Sequence, residues 1–429
     1  MNYDHARIQA FTLLDDIIQN KKYANLTLKN SLSGFDQRDK AFICALVYGT
    51  LDKLINIDYI ISLYAKGKVN SKIKTILRMG LYQILYMDKV PDSAAVSTSV
   101  DIAQSIGKGM LKGFINGVLR NISRNKDSIK YPDDKIKYLS YKYSFPEFFV
   151  KEMIETIGFD ESEKLFSVEE NHNTCIRVDQ NKADTETIKK QLSGTDSIYF
   201  DDCFYLSGMP KMLENGICSV QSEASMAAVK ALSPQENDKI LDCCAAPGGK
   251  TVYIASLLKK GKVVAFDKHE HRVQLIKNNV ARCGYEDIVE TATFDMTNKL
   301  SGNMFDKVLV DAPCSGMGVV GQKPEIKNTA TAEGFSELQK IQKTILQNAS
   351  EVVKKDGILV YSTCTVRKQE NIDIINDFLD NNKNFALCSL KGLLSEKIDL
   401  NHNTENGYIQ FYPHKDKTDG FFIARMKRI

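Results

Sequence analysis

Two cysteines, a set of aspartates and one glycine loop are the residues whose types and spacing could do covalent chemistry. Cys314 lies in Asp311-Ala312-Pro313-Cys314-Ser315-Gly316 and Cys364 in Tyr361-Ser362-Thr363-Cys364-Thr365. Each run follows an apolar, strand-like stretch, so both thiols are expected at the same edge of a sheet. A thiolate is accessible near neutral pH and is a competent nucleophile. Asp311, three residues before Cys314, is the candidate acid. Cys44, Cys175, Cys203, Cys218, Cys283 and Cys388 are assigned to the core as small hydrophobes. No metal is expected: Cys243 and Cys244 are adjacent, and no Cys-x-x-Cys or histidine spacing for zinc exists.

The loop Asp242-Cys243-Cys244-Ala245-Ala246-Pro247-Gly248-Gly249-Lys250-Thr251 leaves an apolar run and opens a helical one. Two glycines and small neighbours let a backbone approach a ligand closely. A phosphate loop would need glycine where Cys244 stands, and a dinucleotide loop needs three spaced glycines. Both patterns fail, leaving a cofactor loop of another kind at Cys244, Ala245, Ala246, Pro247, Gly248, Gly249 and Lys250, or a structural turn. Lys250 is placed to contact cofactor or base; the plainer alternative is an exposed residue in the first turn of a helix. Asp267, Asp295 and Asp311 are expected at the ends of the next three strands. In such sheets the first of these positions grips a ribose diol. Asp295 would lie near an adenine amine, and Asp311 in the catalytic position. A single such Asp is often a helix cap.

Those placements need a framework. From Val220 to Ile429 strand and helix patterns alternate. The strands are Lys239–Cys244, Val263–Asp267, one ending at Phe294-Asp295, Lys307–Asp311, Gly357–Tyr361, Tyr408–Phe411 and Phe421–Ala424. Helices are expected at Ser222–Leu232, Lys250–Lys260, Glu270–Cys283 and Phe335–Val353. This predicts an α/β Rossmann-like domain, residues 220–429, with a seven-stranded, mostly parallel sheet. Residues 1–130 read as an all-α bundle, with apolar residues at helical spacing and breaks at Gly34, Gly67, Pro91 and Gly107. Residues 131–219 read as a linker module. It runs as helix from Tyr131 to Glu170, followed by short strands at Cys175–Val178, Ser197–Phe200 and Phe204–Leu206 and a helix at Thr185–Leu192.

Composition excludes several classes. Of 429 residues, 43% are hydrophobic and 26% charged, an ordinary globular balance rather than a disordered or collagen-like one. No apolar run approaches the roughly 18–20 residues of a membrane span, and no secretory pattern follows Met1, so a cytoplasmic location is expected. Net charge is +3, unevenly placed: residues 1–130 carry 19 Lys and Arg against 11 Asp and Glu. That surplus suggests a polyanionic partner, or else a solvated helical surface.

Asp242–Thr251, Asp311–Gly316 and Ser362–Thr365 resemble the signature motifs of RNA (cytosine-5) methyltransferases, and the whole chain resembles the RsmB (Sun/Fmu) family. In the first third, Arg38–Phe42, Leu46–Leu51, Leu77-Arg78, Tyr82-Gln83 and Phe114–Arg120 are similar to the NusB-like RNA-binding domain. The 131–219 module is similar to an RRM-like unit. The resemblance implies S-adenosyl-L-methionine as cofactor, 16S ribosomal RNA as partner, and 5-methylcytosine as product, formed at the cytosine numbered 967. A monomer is the expected state. One departure is clear. Relatives carry an Arg-rich stretch ending in Pro-Asp-Ile-Lys-Trp; here Val320–Asn328 lacks the arginines, and the chain has no Trp.

Cytosine C5 is a weak nucleophile toward a methyl sulfonium. A thiolate adding at C6 makes C5 enamine-like, and a proton at N3 from Asp311 would stabilise the adduct. Spacing alone does not say which cysteine attacks. Pro313-Cys314 looks like the nucleophile of DNA cytosine methyltransferases, whereas the RNA family resemblance assigns attack to Cys364 and product release to Cys314. The competing functions are a tRNA methyltransferase, against which the NusB-like part argues, and a non-catalytic RNA-binding assembly factor. The intact cysteines and acids argue against the second. A nicotinamide dehydrogenase lacks its glycine loop.

Overall fold

Helical periodicity across the first third produces helices whose ends are fixed by side-chain caps. Asp4 accepts from the Arg7 amide, Asp36 from Asp39 and Asp134 from Lys137, each at 2.8–2.9 Å. A computed structural model of the chain describes residues 4–168, 173–208, 213–302 and 304–429. The chain divides into two compact units: residues 1–167 with 320–330, and 168–319 with 331–429.

In the first unit the helix Ser71–Tyr86 is central and buries Ile73, Ile76, Leu77, Met79, Leu81 and Ile84. Close approach of its neighbours needs missing Cβ atoms. A Cβ on Gly80 would stand 2.5 Å from Ser99 Oγ, and one on Gly49 would enter the Tyr82 ring. Arg78, buried on the same helix, makes two 2.7 Å hydrogen bonds to the Asp58 carboxylate. Gln83 accepts from Arg7 Nε at 2.7 Å. The segment 320–330 also packs here. Its short helix Glu325–Thr329 brings Lys327 to Asp52 and Asn328 Nδ2 to the Leu51 carbonyl at 2.7 Å. These contacts tie the segment to the end of the helix Gln37–Asp52.

The stretch expected as one module, 131–219, is divided. Helices Lys135–Tyr143, Glu147–Ile157 and Phe159–Phe166 lie in the first unit, while the strands lie in the second. Glu169 and Glu170, expected at the helical end, lie outside the described residues. The second unit opens with a four-stranded antiparallel sheet of β1 (Asn173–Val178), β2 (Thr195–Asp196), β3 (Cys203–Ser207) and β4 (Cys218–Val220), ordered β2-β3-β1-β4. Ser197–Phe200, expected as a strand, is a loop. The amides of Ile198, Tyr199 and Phe200 all donate to one oxygen of buried Glu223, at 3.0, 2.5 and 3.3 Å, instead of to a ladder.

The main sheet contains β5 (Lys239–Asp242), β6 (Lys262–Asp267), β7 (Val289–Thr293), β8 (Phe305–Asp311), β9 (Val353–Thr363), β10 (Phe385–Leu387), β11 (Tyr408–Phe411) and β12 (Phe421–Arg428). Their order is β10-β12-β9-β8-β5-β6-β7, with β11 also on β12. The five strands β9, β8, β5, β6 and β7 are parallel, and β12 pairs antiparallel with β9, β10 and β11. The Rossmann-like class stands, with eight strands rather than seven; β10, three residues long, has no period to read. The third strand ends at Thr293, not at Asp295. The Asp295 carboxylate takes hydrogen bonds from the Thr297 amide and hydroxyl, at 3.0 and 2.7 Å, and that turn stops the strand.

Candidate active site

β5 is the switch point of the sheet, with β6 on one side and β8 on the other. Ligands of doubly wound sheets sit outside the carboxyl ends of such strands. Asp242, Asp267 and Asp311 all end strands there. Asp295 lies two residues beyond β7, where its other oxygen pairs with Lys268 at 2.9 Å.

The loop from β5 into the helix Gly249–Leu257 is tied back by its carbonyls. Arg272 Nη2 donates to Ala246 O at 3.1 Å, and Asn279 Nδ2 to Pro247 O at 2.8 Å. Gly248 has φ +104°, and a Cβ there would press the Ile276 backbone at 3.2 Å, so two independent reasons require glycine. Around Gly249 a Cβ would meet nothing within 4 Å. That is open space over the first turn of a helix, where backbone amides are unpaired. Asp267 is 2% exposed, yet its Oδ2 receives no hydrogen bond among the described residues; the Arg272 guanidinium stands 3.2 Å off. A buried carboxylate oxygen in that state is suited to a hydroxyl pair such as a ribose diol. The donor set thus fits a nucleoside-bearing cofactor. Behind the loop, Asp242 is fully buried and accepts from Thr251 Oγ1 at 2.7 Å. Burial pushes its carboxyl up to about 7. Burial, with the Asp242, Asp311 and Asp267 charges, pushes the Cys244 thiol up, so Cys244 lines the loop as a thiol.

Lys250 is not the exposed alternative. Its side chain is 13% exposed and Nζ lies 2.7 Å from Asp311 Oδ2, with the Phe421 ring 5.3 Å away. Burial opposes the ammonium, but Asp311 beside it outweighs this and holds the Lys250 pKa above its usual value. Asp311 Oδ1 accepts from Ser362 Oγ at 2.8 Å, across the β8–β9 register that sets these two residues side by side. Asp311 is thus held between an ammonium and a hydroxyl.

The same register brings the cysteines together: Cys314 Sγ and Cys364 Sγ are 3.2 Å apart. The contact with Cys364 and then burial push the Cys314 thiol well up. The Gly318 amide donates to Cys364 O at 3.1 Å, and the Gly420 amide to Gly318 O at 2.9 Å. A Cβ on Gly318 would lie 1.8 Å from Gly420 O, so only glycine permits this approach.

Residues that the sequence reading did not single out complete the site. Glu370 and Asn371 are buried side by side just after the Cys364 turn. Glu370 accepts from the Ser315 amide, Gln342 and Arg367, while Asn371 bonds Thr363, Thr365 and Gln410. The signal available in the sequence was the polar run Gln369-Glu370-Asn371 placed directly after a cysteine motif.

In the first unit, many of the motif residues quoted from the sequence are buried, including Leu46, Val47, Leu77, Arg78, Gln83, Val118 and Leu119. The helix Lys112–Asn125 instead exposes Gly113, Phe114, Gly117, Arg120, Asn121 and Arg124 along one side.

Comparisons with known proteins agree with this architecture. The family model described as 16S rRNA methyltransferase RsmB/F matches residues 229–427, and the NusB family model matches residues 4–124. The Bacillus subtilis "Probable ribosomal RNA small subunit methyltransferase B" is 36% identical over 98% of both chains. The Synechocystis protein of the same description is 30% identical over 99% of both. The crystal structure of PH0851 shares the fold, with a TM-score of 0.82 at 24% identity over the whole of each chain. By its motifs, its fold and these full-length relatives, the chain belongs to the RsmB/F family of 16S rRNA methyltransferases, with a NusB-family helical segment preceding the methyltransferase sheet.

Proposed function

We propose that this protein transfers a methyl group from S-adenosylmethionine to C5 of a cytosine in 16S ribosomal RNA, through a covalent bond between Cys364 and C6. The observation that carries this is the 3.2 Å pair of thiols at the carboxyl edge of the sheet, beside the Lys250–Asp311 pair. When bound, the cofactor supplies an electrophilic methyl sulfonium. The loop 244–250 and Asp267 hold it, with Asp295 further along the same edge.

Cys364 is the nucleophile and Cys314 serves release. This division of roles follows the family resemblance; the 3.2 Å contact places both thiols within reach of the same base. Attack by Cys364 at C6 places charge on the base, which a proton at N3 relieves. Both oxygens of Asp311 already accept hydrogen bonds, so the Lys250 ammonium is the source of that proton and Asp311 the group that carries it to the ring. After methyl transfer the C5 proton is lost, the C5–C6 double bond re-forms, the C6–S bond breaks with its electron pair returning to sulfur, and the N3 proton goes back to Asp311. The target follows the family: the cytosine numbered 967, recognised with help from the basic first unit. A monomer acting in the cytoplasm without a metal is the simplest form of this proposal.

The test is transfer of labelled methyl from S-adenosylmethionine to 16S rRNA lacking the modification, with the nucleotide mapped. Methylation at that cytosine is the expected result. Methylation of tRNA alone, or binding of rRNA without transfer, would overturn it.

A further inference from the structure

The two thiols have different tasks in this mechanism although they touch, and something must set them apart. Glu370 reaches both cysteine loops. Glu370 is fully buried at the end of the short turn Lys368–Glu370. Its Oε2 accepts from the Ser315 amide at 2.8 Å and from Gln342 Nε2 at 2.9 Å. Gln342 Nε2 also donates to Pro313 O at 2.9 Å. The backbone is therefore gripped on both sides of Cys314. Ser315 Oγ lies 2.9 Å from Thr365 Oγ1, joining this clamp to the residue after Cys364. The Glu370 Oε1 partner is Arg367 Nη1, at 2.8 Å, and that guanidinium stacks 4.0 Å from the Phe335 ring centre. The Glu370 carbonyl accepts from the buried Tyr361 hydroxyl at 2.8 Å, which fixes the turn to β9.

A buried carboxylate without solvent is costly unless it is paired and fully hydrogen-bonded. Here both oxygens are engaged, by one cation and two neutral donors. A neutral clamp would satisfy the same amide at less cost in desolvation. The negative charge is thus the feature that needs a reason.

We propose that Glu370 is a positioning residue for the release step, holding the Cys314 loop against Cys364 so that the Cys314 S–H points at the departing sulfur. The proposal rests on Cys314 serving release and Cys364 serving attack. Its balance is simple. The C5 proton passes to water, the C5–C6 double bond re-forms, the C6–S electron pair returns to the Cys364 sulfur, and the N3 proton returns to Asp311. That developing thiolate accepts a hydrogen bond from the Cys314 thiol. The Glu370 charge contributes by disfavouring a thiolate at Cys314, in addition to the larger effects of the Cys364 contact and burial. Cys314 is then a donor throughout, not a second nucleophile.

The test compares wild type, Glu370→Gln and Cys314→Ala on 16S rRNA with S-adenosylmethionine, reading single-turnover methyl transfer, steady-state rate and complexes that survive denaturing electrophoresis. Glu370→Gln keeps the size of the side chain but sets an amide against donors on both sides. Its steady-state rate should fall by about tenfold or more, its first-turnover transfer by less than about threefold, and a methylated protein–RNA adduct should accumulate. A merely structural role would lower both rates together and trap nothing. That outcome, with an adduct still trapped by Cys314→Ala, would overturn the role of Glu370 and leave the cysteine assignment intact. No adduct from Cys314→Ala would overturn the release assignment on which the proposal rests. Should Glu370→Gln not fold, Gln342→Met removes the other half of the clamp and must trap the same adduct; normal turnover by a folded Gln342→Met would also overturn the proposal.

Discussion

Lys250 Nζ lies 2.7 Å from Asp311 Oδ2, across 61 residues of chain, and so ties the cofactor loop to the end of β8. In the proposed mechanism Lys250 acts on the base through Asp311. Lys250→Met and Asp311→Asn should each lower single-turnover methyl transfer by about 10²–10⁴-fold, the range of one general acid. The double variant should lose little more than either single one, because the two act as a unit. Additive losses in a full double-mutant cycle would separate their roles.

The buried Oδ2 of Asp267, with the Arg272 guanidinium 3.2 Å off but no hydrogen bond among the described residues, gives a prediction for cofactor binding. Asp267→Ala should weaken S-adenosylmethionine binding by about 1.5–3 kcal/mol, the worth of hydrogen bonds to a charged group. Calorimetry on the full chain measures this directly. Unchanged affinity would remove Asp267 from the cofactor site.

Asp242 predicts a pH dependence of stability. Its carboxyl is raised from 3.8 to about 7 by burial. Between those values the folded state binds more protons than the unfolded one, so the stability this group contributes falls as pH rises and is gone above about 7. Asp242→Asn keeps an oxygen for the Thr251 hydroxyl and removes the titration. Relative to that variant, wild type should lose about 1–4 kcal/mol between pH 4 and pH 8. Urea unfolding of both across that range is the check, and parallel pH profiles would contradict it.

The basic surplus of the first unit predicts RNA binding through phosphates. Arg120 and Arg124 are exposed one turn apart on the helix Lys112–Asn125. The double substitution Arg120→Glu and Arg124→Glu in the full chain should weaken 16S rRNA binding. It should also flatten the salt dependence, by roughly one unit of log–log slope per lost phosphate contact. An unaltered slope would place the RNA contacts elsewhere.

The parallel sheet was legible because Val- and Ile-rich runs such as Lys307–Asp311 are buried on both faces and bounded by polar residues. The Gly248 turn and the strand-end positions of Asp267 and Asp311 follow from local chemistry. Glu370 was legible only as part of the polar run Gln369-Glu370-Asn371, and its burial and partners were not. Its partners Ser315, Gln342 and Arg367 come from separate segments, and no local pattern distinguishes a buried carboxylate from a solvated one. Ser197–Phe200 carries strand-forming residues, but the Glu223 carboxylate competes for its amides from the start of the following helix. Lys250 reads as a contact to cofactor or base with exposure as the alternative, and its pairing with Asp311 on β8 is not visible in the sequence. Such contacts are set by tertiary packing, which overrides local preference.

The division of labour between Cys364 and Cys314 is tested most directly by trapping. Wild type, Cys364→Ala, Cys314→Ala and the double variant are each mixed with unmodified 16S rRNA and S-adenosylmethionine, then run on denaturing gels. Cys314→Ala should give a covalent, methylated protein–RNA complex, because attack and transfer proceed while elimination is impaired. Cys364→Ala and the double variant should give none, and Cys364→Ala should not turn over. A complex trapped by Cys364→Ala and absent from Cys314→Ala would contradict the assignment and exchange the roles of the two thiols.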